Sequence, residues 1–201
     1  MITVIDYDAG NTQSVCKALE YLGYNTELTG DCDAVKSASH LLLPGVGAFG
    51  QAMDNLKKRG LDEAIKEYVK SGKPFLGICL GMQLLFSESK ESPDVKGLSL
   101  FDNSIELIPG SKEFKVPHIG WNSLDIKENS RLFKGIRQGD YVYFVHSFYL
   151  PGDFEHVCAS SDYSVKIGAA VEHENVFGCQ FHPEKSGETG LRILDNFAKM
   201  K

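Results

Sequence analysis

Two short segments carry residue types that could do covalent chemistry. The first is Lys73-Pro74-Phe75-Leu76-Gly77-Ile78-Cys79-Leu80-Gly81-Met82-Gln83. An apolar run bounded by Pro74 predicts a buried parallel strand, and residues 80–88 predict a helix behind it. Cys79 then stands at the strand-to-helix junction between Gly77 and Gly81, where the backbone turns sharply and packs close to its neighbours. That layout is a nucleophile elbow with sulfur in place of a serine oxygen. The unpaired N–H groups and positive dipole end of a helix N-terminus favour thiolate. The other reading of Cys79 is a small buried hydrophobe, and only a partner base separates the two.

The second segment is Val176-Phe177-Gly178-Cys179-Gln180-Phe181-His182-Pro183-Glu184-Lys185. Residues 176–181 predict a strand that delivers His182 at its end, with Glu184 two residues beyond. A thiolate nucleophile needs a base to take and return protons, and the base needs a third group to hold its tautomer. Cys79, His182 and Glu184 supply those three roles. His-Pro-Glu alone could equally sit in a zinc site, but no cysteine follows Cys179 to complete a deaminase pattern, and His-Glu-x-x-His is absent. No metal or organic cofactor is expected. His146 is the one rival base, and it has no carboxylate close by in sequence.

These groups need elements to hold them. Strands are predicted at 2–7, 24–28, 40–43 and 75–79, with helices at 12–22, 47–58, 61–70 and 80–88. That βαβ rhythm predicts a mostly parallel sheet flanked by helices in an α/β fold, with the site at the C-terminal strand ends. Shorter strands follow at 104–108, 122–126, 141–145, 157–161, 168–172 and 176–181, and a final helix at 187–200. No linker or repeat divides the chain, so residues 1–201 are expected to form one domain. Asn11 is placed to cap the helix starting at Thr12. Trp121, the only tryptophan, is expected to be largely buried, either in a contact or, by a small margin in the free chain, in the core. Gln83 lies one helical turn past Cys79 and shares its face. Pro44-Gly45-Val46-Gly47 reads either as an ordinary βα turn or as a loop whose N–H groups stabilise an oxyanion together with the amide of Leu80.

Composition narrows the class without naming the chemistry. A net charge of −6 over 201 residues argues against a general nucleic-acid binder. No apolar run approaches the roughly 20 residues that span a bilayer, and the opening strand does not resemble a signal peptide. Five cysteines in no tight pattern suit a reduced, cytoplasmic protein.

Taken together, the elbow around Cys79 and Phe181-His182-Pro183-Glu184 resemble the triad (class I) glutamine amidotransferases, which hydrolyse the side-chain amide of glutamine and pass ammonia to a synthase. The resemblance runs from Ile2 to the C-terminus. Segments 6–11, 43–49, 116–122 and 182–187 resemble the branch that feeds a cyclase of histidine biosynthesis, most sharply at Pro117-His118-Ile119-Gly120-Trp121-Asn122. The resemblance implies L-glutamine as substrate, held by Gly47, Gln83, Glu91 and the backbone near His146, Ser147 and Phe148. It also implies a second oxyanion donor at Val46 or Gly47, brought inward by a peptide flip. A (β/α)8 cyclase subunit is the implied partner in a heterodimer, docked on Pro117, His118, Trp121, Tyr143 and Lys185. A paralogue serving a sugar amidination enzyme, a catalytically idle binding subunit and a stand-alone hydrolase are the alternatives.

Overall fold

The structure, a computed structural model, describes residues 1–8 and 11–201. In chain order the first half runs β1 (Ile2–Ile5), α1 (Thr12–Tyr21), β2 (Thr26–Thr29), α2 (Cys32–Ser37), β3 (His40–Gly45), α3 (Phe49–Lys58), α4 (Leu61–Lys70), β4 (Phe75–Cys79) and α5 (Leu80–Gln83). The second half runs β5 (Phe86–Ser89), β6 (Phe101–Leu107), β7 (His118–Ser123), β8 (Asp125–Ile126), β9 (Tyr141–His146), β10 (Phe148–Tyr149), β11 (Val157–Asp162), β12 (Lys166–His173), β13 (Val176–Cys179) and α6 (Gly187–Ala198).

The main sheet has the order β2-β1-β3-β4-β13-β12-β11-β8. Strands β2 to β13 in that order run parallel, and the last three are antiparallel. The inner strands divide their apolar residues between two cores. In β3, Leu41 and Leu43 join the core under α3 and α4, while Leu42 faces the core under α1 and α6. Helix α3 buries Phe49, Ala52, Met53 and Leu56, and α4 buries Leu61, Ala64, Ile65 and Tyr68. That i, i+3, i+4, i+7 spacing puts one apolar stripe of each helix on the sheet. The antiparallel ribbon β7–β9 lies on the other face, where Val142 and Phe144 pack with α1 and α6.

Several elements depart from the sequence expectations. The helix expected over 80–88 is a single turn, after which the chain becomes β5. Leu84, Leu85 and Phe86 are all buried, so the segment has no polar face for a longer surface helix. The carbonyls of Leu84 and Leu85 instead accept from the N–H groups of Leu98, Leu100 and Phe101. The strand expected over 122–126 divides at Leu124, whose backbone bonds to Gly139 and Asp140. Helix α2 was not anticipated, and the Asp31 carboxylate caps it by accepting from Ala34 N–H at 2.8 Å. Asn11 precedes α1 but does not cap it through its side chain, which accepts from the Ser14 hydroxyl instead. Ala9 and Gly10 of that turn lie outside the described residues. Among the described residues, no helix is long and apolar enough to cross a membrane.

Candidate active site

Three adjacent parallel strands, β3, β4 and β13, end at one edge of the sheet and deliver the chemistry there. Gly45 closes β3 opposite Cys79 at the end of β4, and His182 follows β13. The elbow is tight. A Cβ on Gly81 would fall 1.8 Å from the Leu43 carbonyl, and one on Gly77 would fall 2.6 Å from the Gly81 carbonyl. Only glycine lets the turn pack this closely on its neighbours. Cys79 itself has φ 54°, ψ −111°, a strained conformation for a residue with a side chain.

The His182 ring donates from Nδ1 to Glu184 Oε1 at 2.8 Å, since a carboxylate only accepts. Both side chains are buried. His182 Nε2 has no hydrogen-bond partner among the described residues and shares the cleft with Cys79. Burial alone would lower the His182 pKa, but the Cys79 sulfur and the Glu184 carboxylate outweigh it and raise the value to about 9. A ring that holds its proton beside a sulfur can stabilise a thiolate and then protonate a leaving group. The turn carrying His182 is itself held by the ribbon. His182 N–H donates to Tyr143 O at 2.9 Å, Tyr143 N–H to Ser186 Oγ at 2.9 Å, and Ser186 Oγ–H to His182 O at 2.6 Å.

The cleft in front of Cys79 has a volume of about 270 Å³. Val46, Gly47, Leu80, Gln83, Glu91, His146, Ser147, Phe148 and His182 line it, so the sequence-predicted oxyanion and substrate-binding residues share one space with Cys79 and His182, while Glu184 stands behind the His182 ring. Gly47 has φ +102°, which glycine alone adopts readily. Glu91 accepts from Phe49 N–H at 2.8 Å at the start of α3. Gln83 spends both amide protons inside the protein, on Phe148 O and Gln180 Oε1 at 2.9 Å each, which leaves its Oε1 for a ligand. Gln180 was not singled out from the sequence. It is fully buried and donates to Cys79 Sγ at 3.9 Å. The signal was a polar residue inside an apolar run, two positions before His182 and hence on the same side of the strand.

The docking residues separate. Pro117 and Lys185 are exposed, and Trp121 is 55% exposed with Tyr143 edge-on at 6.1 Å. Of the two expected surroundings of Trp121, core or contact, the core is thus ruled out: strand alternation puts it, with Ile119, on the outer face of β7. His118, expected at the docking surface, is on the inner face and only 3% exposed, stacked on Phe144 and Tyr163.

Burial pushes His118 down to about 4 and His146 to about 3, from an ordinary 6.5. His146 is therefore neutral in use and does not compete with His182 as a charged acid. Folded values below the unfolded one mean that the neutral rings favour the fold above pH 6.5, and that this contribution is lost as pH falls toward the folded values. Each ring withdraws about 2 kcal/mol by pH 5. Thermal melts from pH 7 to pH 5 should show a falling midpoint, and a smaller fall in His118→Phe. Equal slopes in the two proteins would contradict the assignment.

The model of the family described as "Glutamine amidotransferase class-I" matches residues 3–200. The chain belongs to this family. Among curated relatives, the imidazole glycerol phosphate synthase subunit HisH of Caldanaerobacter subterraneus subsp. tengcongensis is 53% identical, over 100% of this chain and 98% of that protein. The HisH subunits of Syntrophotalea carbinolica and Streptococcus mutans are each 48% identical, over 100% of this chain and 100% and 99% of theirs. Within the family, the chain falls in the branch of these HisH subunits. The crystal structure of a glutamine amidotransferase shares the fold, with a TM-score of 0.76 at 17% identity over 98% of this chain and 100% of that one. PurLQS from Thermotoga maritima does so with 0.75 at 23% identity, over 98% and 96%.

Proposed function

We propose that this chain is the glutaminase subunit of an imidazole glycerol phosphate synthase of histidine biosynthesis, working in the cytoplasm. The observation that carries the reading is Cys79 and His182 on one cleft, with Glu184 bonded to the His182 ring, in a chain 53% identical to a subunit of that synthase. The Cys79 thiolate attacks the carboxamide carbon of glutamine. The oxyanion rests on the Leu80 N–H and on an N–H of the Val46–Gly47 loop. His182, oriented by Glu184, protonates the departing ammonia and leaves a γ-glutamyl thioester. It then takes a proton from water, which attacks the thioester and releases glutamate. Gly47, Gln83, Glu91 and the backbone of residues 146–148 hold the substrate.

Ammonia passes to a (β/α)8 cyclase subunit, which converts the phosphoribulosyl aminoimidazole nucleotide to imidazole glycerol phosphate and an aminoimidazole carboxamide ribotide. The two chains form a heterodimer through Pro117, Trp121, Tyr143 and Lys185. An exposed tryptophan packed edge-on against a tyrosine is the kind of anchor such interfaces use, and a rim lysine sets orientation more than affinity. An oxyanion donor supplied only on docking would leave the free chain slow. Glutamate release should rise roughly 10²–10³-fold when the cyclase subunit and its nucleotide are added. Equal rates with and without them would instead indicate a stand-alone hydrolase.

A further inference from the structure

A line of hydrogen bonds runs behind the cleft wall from β7 to the nucleophile. Asn122 Nδ2 lies 3.5 Å from His118 Nε2, and His118 Nδ1 is 3.0 Å from His146 Nε2. His146 Nδ1 is 2.8 Å from Phe148 O. Phe148 O also accepts from Gln83, Gln83 donates to Gln180, and Gln180 donates to Cys79 Sγ. The far end sets the direction. A carbonyl only accepts, so His146 Nδ1 carries the proton, His146 Nε2 is the acceptor, and His118 Nδ1 must donate.

His118 does not line the cleft, whereas His146, Phe148 and Gln83 do. We propose that His118 is a positioning residue for glutamine: its Nδ1–H bond to His146 Nε2 holds the Nδ1–H tautomer of His146, and through it the Phe148 carbonyl and Gln83 amide that shape the cleft. The proposal rests on the glutaminase reading above. Without His118 as donor, His146 Nε2 becomes a buried acceptor with no partner. The ring then gains by turning or by moving its proton to Nε2, and either change takes the donor away from Phe148 O. Gln83 bonds to that same oxygen, so its placement shifts as well.

Two substitutions separate the hydrogen bond from the packing. His118→Phe keeps a ring to stack between Phe144 and Tyr163 but has no donor. His118→Asn gives up the stack and places an amide near the Nδ1 position. Glutamine binding is measured by calorimetry in a Cys79→Ala background, which binds without turnover. Adding His118→Phe should weaken binding about 10–100-fold, and adding His118→Asn less than threefold. With Cys79 intact and the cyclase subunit present, His118→Phe should raise KM for glutamine by the same factor and change kcat less than threefold.

Binding by the Phe variant equal to its parent, a loss shared equally by the Asn variant, or a defect confined to kcat would overturn the proposal. Imidazole ¹⁵N spectra of the unsubstituted chain give a test that needs no variant. They should show His146 as the Nδ1–H tautomer at neutral pH, and the Nε2–H tautomer would also overturn it. If the unsubstituted chain neither binds glutamine nor forms glutamate with the cyclase present, the glutaminase reading itself fails and this inference with it.

Discussion

Replacing Cys79 with alanine should abolish glutamate formation, a loss on the order of 10⁶-fold, while leaving the chain folded. No other cysteine can substitute. Cys179 is fully buried, with burial holding its thiol well above the ordinary range, and Cys158 is pushed up to about 12 by burial. Cys16 and Cys32 do not line the cleft. A complex carrying Cys79→Ala should still make imidazole product from ammonium salts, because the loss lies in ammonia supply. The φ of 54° at Cys79 adds a stability signature, since alanine keeps that strain and glycine relieves it. Cys79→Gly should be equally inactive yet melt above Cys79→Ala, by the equivalent of about 1 kcal/mol. Steady-state glutamate assays and thermal melts on the two variants check both halves. More than a trace of activity in either would remove Cys79 from the mechanism.

Glu184→Gln is the second large effect. The carboxylate holds the proton on His182 Nδ1 at 2.8 Å, and its other oxygen is buried with no partner among the described residues. A glutamine amide can turn its NH₂ toward Nδ1, which leaves Nε2 as the protonated nitrogen and unable to receive a proton from sulfur or water. Losing the orienting carboxylate in a comparable triad costs about 10⁴-fold in kcat. We expect a kcat loss of about 10³–10⁴-fold with KM for glutamine within a few-fold. The variant also removes one of the two groups that raise the His182 pKa, so that value should drop below 9. Little change in kcat would mean that Glu184 only supports the turn.

The chemistry was legible in the sequence because its constraints are local. Gly77, Cys79 and Gly81 announce a close-packed turn, and His182 with Glu184 are joined by one residue, so spacing alone implies contact. The helices α3, α4 and α6 follow from their apolar periodicity. What stayed hidden depends on which long-range partner captures a backbone group. The helix after Cys79 stops at Gln83 because residues 98–101 take the carbonyls of Leu84 and Leu85, and nothing within 80–88 reports that. That Trp121 faces outward and His118 inward was hidden for a related reason. Period-2 alternation is visible within β7, but which face meets the core is decided by β9 and the sheet beneath it. Gln180 and the His118–His146 pair were unreadable because their partners lie 97 and 28 residues away.

The central claim is that glutamine is opened by Cys79 through a covalent intermediate. Acid quenching during turnover with glutamine and the cyclase subunit, followed by peptide mass spectrometry, tests it most directly. A γ-glutamyl group on the peptide carrying Cys79, lost on mild alkaline treatment as a thioester is, is the predicted result. Glutamate formed with no adduct there, or an adduct on another cysteine, would contradict it.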